Sequence, residues 1–183
     1  DMVVHTAPPT RVNGLELAPG KHNIMPADVP QGTLTLKIDG YSRLAEGNCI
    51  IRKAGDNEIL DVQQLNSRKR LLTGFYDLEI LTLPPMYVEN VMIQAEEEEV
   101  ILIPEEGKLN VFVSRPGIAS IYQVDDGQMK MIYEESYVNR QMTLELLPGD
   151  YLVVYRQHQY KSSDLTKSRS ITNYSRSTTE DTF

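Results

Sequence analysis

A recurring phrase constrains this chain more than any other feature. Gly32-Thr33-Leu34-Thr35-Leu36-Lys37-Ile38 returns about 75 residues later as Gly107-Lys108-Leu109-Asn110-Val111-Phe112-Val113. At the same distance Gly74-Phe75-Tyr76-Asp77-Leu78-Glu79-Ile80 returns as Gly149-Asp150-Tyr151-Leu152-Val153-Val154-Tyr155. The first phrase alternates apolar and polar residues, the period of a half-buried strand. Asp1-Met2-Val3-Val4-His5-Thr6-Ala7-Pro8-Pro9 reads like Asp77-Leu78-Glu79-Ile80-Leu81-Thr82-Leu83-Pro84-Pro85, with acid, Thr and paired prolines in register. The match continues from 12–17 against 88–93. The chain therefore reads as the C-terminal half of one repeat (1–29) followed by two whole repeats (30–104 and 105–183). Residues upstream of Asp1 are expected, and the strands at 2–6 and 12–25 lack the earlier half of their repeat. Two or three strands alone are marginal in water, so they are expected either to pack against the following repeat or to pair with another molecule in a strand-exchange dimer.

Within a repeat the strand signals are short and close together, at 33–38, 49–53, 59–65, 75–82, 90–95 and 99–103, with Gly, Pro, Asn and Asp between them. No segment shows a capped helical stripe. The expected fold is all-β: tandem small immunoglobulin-like antiparallel β-sandwich repeats. Gly55-Asp56-Asn57 and Asp125-Asp126-Gly127 suit tight hairpin loops that need positive φ. Pro8-Pro9 and Pro84-Pro85, which cannot donate ladder hydrogen bonds, are expected to mark a strand switch at a sheet edge. In the last repeat a longer polar stretch, residues 158–164, takes their place, and it is the loop best suited to specialisation.

Composition narrows the functional classes. Acidic residues outnumber basic ones 26 to 18, for a net charge of −8, which argues against nucleic acid or an anionic membrane as the main partner. A hydrophobic fraction of 40% with 24% charged residues suits a globular chain. Cys49 is the single cysteine, so neither an intrachain disulfide nor a four-cysteine zinc site can form. No apolar run approaches the roughly 20 residues of a membrane-spanning helix.

Candidate chemistry is thin. Glu96 to Glu99, with Glu105 and Glu106 nearby, could suggest a calcium site, but the repeat places the run on the non-acidic turn at 19–23, so a solvated hairpin end is expected. Such charge also discourages edge-to-edge aggregation. His5, His22 and His158 fall in separate copies with no ligand or triad spacing. Cys49 aligns with Ser120 and reads as a small buried residue. There is no phosphate loop and no Gly-x-Ser-x-Gly elbow. No catalytic residue, metal ligand or cofactor is assigned, and the chain reads as a non-enzyme. The remaining asymmetry is aromatic: Tyr122, Tyr133, Tyr137, Tyr151, Tyr155, Tyr160 and Tyr174 all lie in the last repeat. With the nearby basic residues they nominate Tyr155, Arg156, Tyr160, Lys161, Arg169 and Tyr174 as a docking face for an acidic partner or a glycan. A carbohydrate-binding module is the alternative, its platform necessarily of tyrosine because the chain has no Trp and three Phe.

The run at 74–85, the phrase Pro19-Gly20-Lys21-His22-Asn23 followed by Val29-Pro30-Gln31-Gly32-Thr33-Leu34, and Leu147-Pro148-Gly149-Asp150-Tyr151 together resemble the region after the von Willebrand factor A domain in Bacteroidetes-type secreted proteins. More loosely, each repeat is similar to PEGA and carboxypeptidase-regulatory-like modules. The resemblance implies an extracytoplasmic region, periplasmic or in the cell envelope. It would space, support or dock the upstream A domain and engage an envelope protein. It transfers no catalytic residue. The A domain's Asp-x-Ser-x-Ser metal motif is absent; Asp164-Leu165-Thr166-Lys167-Ser168 is a near miss after a polar loop.

Overall fold

A computed structural model describes residues 1–24, 28–40, 47–158 and 166–183. The described chain is all-β, and it separates into two compact units. Unit 1 comprises Asp1–Ile38, Arg43–Leu81 and Met86–Ile103; unit 2 comprises Asp39–Ser42, Thr82–Pro85 and Pro104–Phe183.

Unit 1 contains β3 (Gln31–Ile38), β4 (Asn48–Lys53), β5 (Ile59–Gln64), β6 (Ser67–Leu72), β7 (Gly74–Ile80), β8 (Met86–Ile93) and β9 (Glu98–Ile103). They form a three-stranded sheet in the order β6-β3-β9 and a four-stranded sheet in the order β5-β4-β7-β8. Unit 2 contains β10 (Gly107–Phe112), β11 (Gly117–Asp125), β12 (Gln128–Val138), β13 (Gln141–Leu146), β14 (Gly149–Gln157), β15 (Thr166–Asn173) and β16 (Thr178–Thr182). Its sheets, β13-β10-β16 and β12-β11-β14-β15, repeat those of unit 1 strand for strand. In each unit the first strand pairs antiparallel with the fourth and parallel with the last. Immunoglobulin constant domains instead place their first two strands in one sheet.

Alternation explains the cores. In β3, Leu34, Leu36 and Ile38 face inward, and Cys49, Ile51, Tyr76, Leu78 and Ile80 meet them from the other sheet. In unit 2, Leu109 and Val111 meet Ala119, Ile121, Tyr151, Val153 and Tyr155. At about 25 cal/mol per Å² of apolar surface, side chains of this size each stabilise by about 1.5–3 kcal/mol on burial.

The shared glycines and tyrosines have identifiable jobs. A Cβ on Gly32 would lie 2.1 Å from the Gln94 carbonyl oxygen, and one on Gly107 would lie 2.1 Å from that of Tyr174. Each glycine lets the link between the last two strands cross close against the first. Tyr76 donates its hydroxyl to the Leu72 carbonyl at 2.8 Å, and Tyr151 donates to that of Leu147 at 2.7 Å. A buried phenol thus ties the start of the fifth strand to the end of the fourth, an arrangement like the tyrosine corner of immunoglobulin folds.

Several sequence expectations change here. The basic strand β6, Ser-Arg-Lys-Arg-Leu-Leu, gave no strand signal, because only Leu71 is fully buried while Arg68 and Arg70 are exposed. The paired prolines do not mark a switch between sheets. Leu83-Pro84, a cis peptide, lies in the turn joining the hydrogen-bonded neighbours β7 and β8, and the Thr82 hydroxyl donates to Pro84 O at 2.7 Å. Cis Ala7-Pro8 occupies the matching turn between β1 (Met2–Val4) and β2 (Thr10–Val12), with Thr6 donating to Pro8 O at 2.6 Å. These two short strands pair with each other in a sheet of their own. Their turn packs on the sandwich of the same unit: Ala7 lies against its core, and its carbonyl accepts from Leu72 N–H at 3.1 Å.

The glutamate run is solvent-exposed as expected, but it does not end a hairpin. Glu96 and Glu97 belong to the link into β9, and Glu98 opens that strand. Glu98 pairs with Arg68 at 3.2 Å and Glu96 with Arg70 at 3.6 Å, across the intervening β3. Such exposed pairs contribute about 0–1 kcal/mol each, so they shape the surface more than they stabilise it. The expected positive φ is present in both hairpins, at Gly55 (76°) and at Asp126 (45°) and Gly127 (77°).

Candidate functional site

The six nominated residues do not form one face. Tyr155 points into the core of unit 2 at 1% exposure, donates its hydroxyl to the Arg115 carbonyl and packs 5.5 Å from the Phe183 ring. It is therefore withdrawn as a docking residue: as the end of a Tyr-Leu-Val-Val-Tyr run it shares the inward phase of Tyr151 and Val153. Arg169 is committed internally. Its guanidinium pairs with the buried Asp181 carboxylate at 2.7 Å and lies 5.4 Å from the Phe183 ring centroid, bridging β15 to β16 across the edge of the two sheets. Arg156 and Tyr174 are exposed, but at opposite ends of the sandwich. Arg156 pairs with Thr166, whereas Tyr174 follows Asn173, the partner of Gly149; seven residues along β14 separate those pairings by roughly 23 Å. Tyr160 and Lys161 lie outside the described residues, as does most of the polar stretch at 158–164.

Other aromatics are equally dispersed. Tyr137, near the Arg156 end, meets His158 edge-on at 5.9 Å between centroids. Tyr133 donates to Glu135 at 3.0 Å. No planar row of exposed tyrosines of the kind a carbohydrate module would use arises among the described residues.

The buried Cys49 and the half-buried Glu106 have raised pKa values, and neither has a catalytic setting among the described residues. Burial pushes the Cys49 thiol up to about 12, with the Glu79 charge adding to the rise, which suppresses the thiolate a nucleophile needs. Its counterpart is Ala119, not Ser120: Cys49 pairs with Ile80 as Ala119 pairs with Tyr155. The Glu106 carboxyl is raised to about 7 by burial and then by the charge of Glu145. Glu106 in turn helps burial hold Tyr151 up at about 12. Nearby, Asn173 donates to Leu146 O at 2.8 Å, while its own side-chain oxygen is buried without a partner. Sequence reasoning missed this polar pocket because Glu106 sits beside Glu105 in a surface-like run, and only the strand pairing brings Glu145 opposite the neighbouring Lys108.

In unit 1 a groove of about 280 Å³ is lined by Pro8, Lys53, Asp56, Glu58, Ile59 and Leu60. Small-molecule sites usually run to about 300–1,000 Å³ and are mainly apolar; this groove is small and charged. Among the described residues no three of His, Cys, Asp and Glu come together as a metal-holding group, and no helix is long and apolar enough to cross a membrane.

No family model matches the chain, and no curated protein matches it. Solved structures with a likeness to it include three bacterial proteins. The minor pilin GBS52 of Streptococcus agalactiae is 11% identical, with 84% of this chain and 94% of that one covered and a TM-score of 0.40. The Bacillus anthracis TIE protein is 13% identical, with 84% of this chain covered and a TM-score of 0.38; the chain spans about a third (34%) of its length. A candidate adhesin from Bacteroides ovatus is 10% identical, with 87% and 88% covered and a TM-score of 0.32.

Proposed function

We propose that this chain is a non-catalytic, extracytoplasmic region of tandem sandwiches that spaces or supports an upstream domain and binds protein. The observation that carries this reading is the strand-for-strand duplication. What the two units keep in common shapes backbone: Gly32 and Gly107 admit a close crossing, and Tyr76 and Tyr151 tie a corner. Among the described residues the polar groups that differ between them, Cys49, Glu106 and Asn173 included, do not converge into a nucleophile with a base and a stabiliser. Placement outside the cytoplasm and a von Willebrand factor A domain upstream are supported by the sequence phrases at 19–34 and 74–85.

The test compares the full-length protein with a version lacking residues 30–183, by protease accessibility in intact cells and by capture from envelope extract. Accessibility of the region in intact or osmotically opened cells, with an envelope protein captured by the full-length form alone, is the expected result. Protection until cell lysis, or identical capture by both forms, would refute the reading.

A further inference from the structure

The outer face of the four-stranded sheet differs between the units at equivalent positions. In unit 1, Arg52 pairs with Glu79 at 2.8 Å, and Asp77 accepts from the backbone N–H groups of Gly55 and Asn90 at 2.8 and 2.9 Å. That face satisfies its own charges. Strand pairing identifies the counterparts: Arg52 lies opposite Asp77 as Tyr122 lies opposite Leu152, and Ile50 lies opposite Glu79 as Ser120 lies opposite Val154. The charged trio Arg52, Asp77 and Glu79 is thus replaced in unit 2 by Tyr122, Leu152 and Val154.

The outward row of β14 reads Asp150, Leu152, Val154, Arg156: acid, apolar, apolar, base. Beside it on β15 stand Ser168 and Ser170, short side chains that leave the apolar pair half-buried and partly exposed to solvent. On the other flank Tyr122 leads to Met131, which is 52% exposed. Arg156 has no ion-pair partner among the described residues, and Asp150 accepts only from the Thr172 hydroxyl, at 2.6 Å.

We propose that this face binds a second copy of the chain in a two-fold, face-to-face dimer. A two-fold interface must be self-complementary, residue i meeting j while j meets i. The β14 row meets that condition. Set antiparallel against itself, it places Arg156 of each copy against Asp150 of the other and Leu152 against Val154, as in aligned packing of two sheets. The patch spans roughly 20 Å by 14 Å at about 3.3 Å per residue and about 4.8 Å between strands. That is at or below the low end of specific interfaces, so the dimer is weak, with a dissociation constant of about 0.1 mM.

Sedimentation equilibrium of the whole chain from 5 µM to 1 mM (concentrations spanning about that constant) tests the proposal. Reversible dimerisation is expected. The triple variant Tyr122→Arg, Leu152→Asp, Val154→Glu should weaken it at least about tenfold. This variant installs the residues that unit 1 carries at the same places in the same topology, and circular dichroism checks that it folds. Asp150→Arg and Arg156→Asp, both at exposed positions, should each weaken the dimer, and the two together should restore it because the ends are exchanged in both copies. A monomer at every concentration would overturn the proposal. So would a dimer indifferent to the triple variant, as pairing through residues 1–29 would give, or a double reversal that fails to restore association.

Discussion

Units 1 and 2 share a topology yet settle their polar groups differently. Just before the shared glycine of the first strand unit 1 has Gln31 and unit 2 has Glu106; just after it Thr33 pairs with Arg70 in unit 1 and Lys108 with Glu145 in unit 2, and the inward end of the sixth strand is Ile93 in one and Asn173 in the other. Unit 1 has the uncharged Gln31 and the apolar Ile93 where unit 2 has Asn173 and a carboxyl whose pKa burial raises to about 7. On the outer sheet face the polarity is inverted: unit 1 carries Arg52, Asp77 and Glu79, and unit 2 carries Tyr122, Leu152 and Val154. The lesson is that the architecture rests on a few positions where backbone geometry permits one residue type. Most strand positions on the outside, and even one inside, are open to change.

The largest effect should come from breaking what the units share. Gly32→Ala and Gly107→Ala each drive a methyl group to 2.1 Å from a backbone carbonyl oxygen that cannot swing aside. Each should cost its own unit about 3 kcal/mol or more, seen in thermal unfolding followed by residue-resolved hydrogen exchange. Near-normal stability of either variant would mean that the crossing can relax and that the glycine is not what fixes it.

A smaller effect should separate the units by pH. The folded Glu106 carboxyl titrates at about 7 against an ordinary value of 4.5, so the folded state holds its proton more tightly. Its contribution to stability is therefore present in full below about pH 4.5 and is lost as pH rises through about 7. Glu106→Gln, which installs the residue unit 1 has at Gln31, should remove that slope from unit 2. At pH 8 it should stabilise the unit by on the order of 1 kcal/mol, a figure reduced for solvent screening of a half-buried group. Denaturant titrations at pH 5 and 8 give the difference directly; an unchanged slope would place the carboxylate in a wetter site.

The smallest effect belongs to unit 1. N–H groups of Asn90 and Gly55 hold the Asp77 carboxyl below its ordinary value, so its support of the bulge at Asn90 and the turn at Gly55 exists above the unfolded value and fades as pH falls through the depressed one. Protection of the Gly55 and Asn90 amides from exchange, taken relative to their intrinsic rates at each pH, should fall in acid, and Asp77→Asn should show the same loss of protection at neutral pH. Leu152, the counterpart in unit 2, offers no such dependence, so exchange at the matching turn, Asp126 and Gly127, should not share this response.

Much of the fold was legible in the chain. The alternation of Leu34, Leu36 and Ile38, the glycines that open strands and the turn residues at Gly55 and Asp126-Gly127 are local, and local sterics read them directly. The proposed docking residues were less legible. From Tyr151 to Tyr155 every side chain is apolar, so period two has no visible phase, and the inward direction of Tyr155 could not be told from the outward direction of Val154. Nor could spacing reveal that Arg169 reaches Asp181 across the sheets or that Tyr174 and Arg156 end far apart.

The sequence by itself determined that this chain is all-β and repetitive, because hydrophobic period and turn chemistry act over a few residues. Tertiary structure alone decided that the first strand of each unit pairs with the fourth and the last, that the glutamate run meets Arg68 and Arg70, and that Asp150, Leu152, Val154 and Arg156 share the outward side of β14. Those outcomes depend on pairings between residues distant along the chain, where many registers satisfy the same local pattern and only the packing of a complete core selects among them.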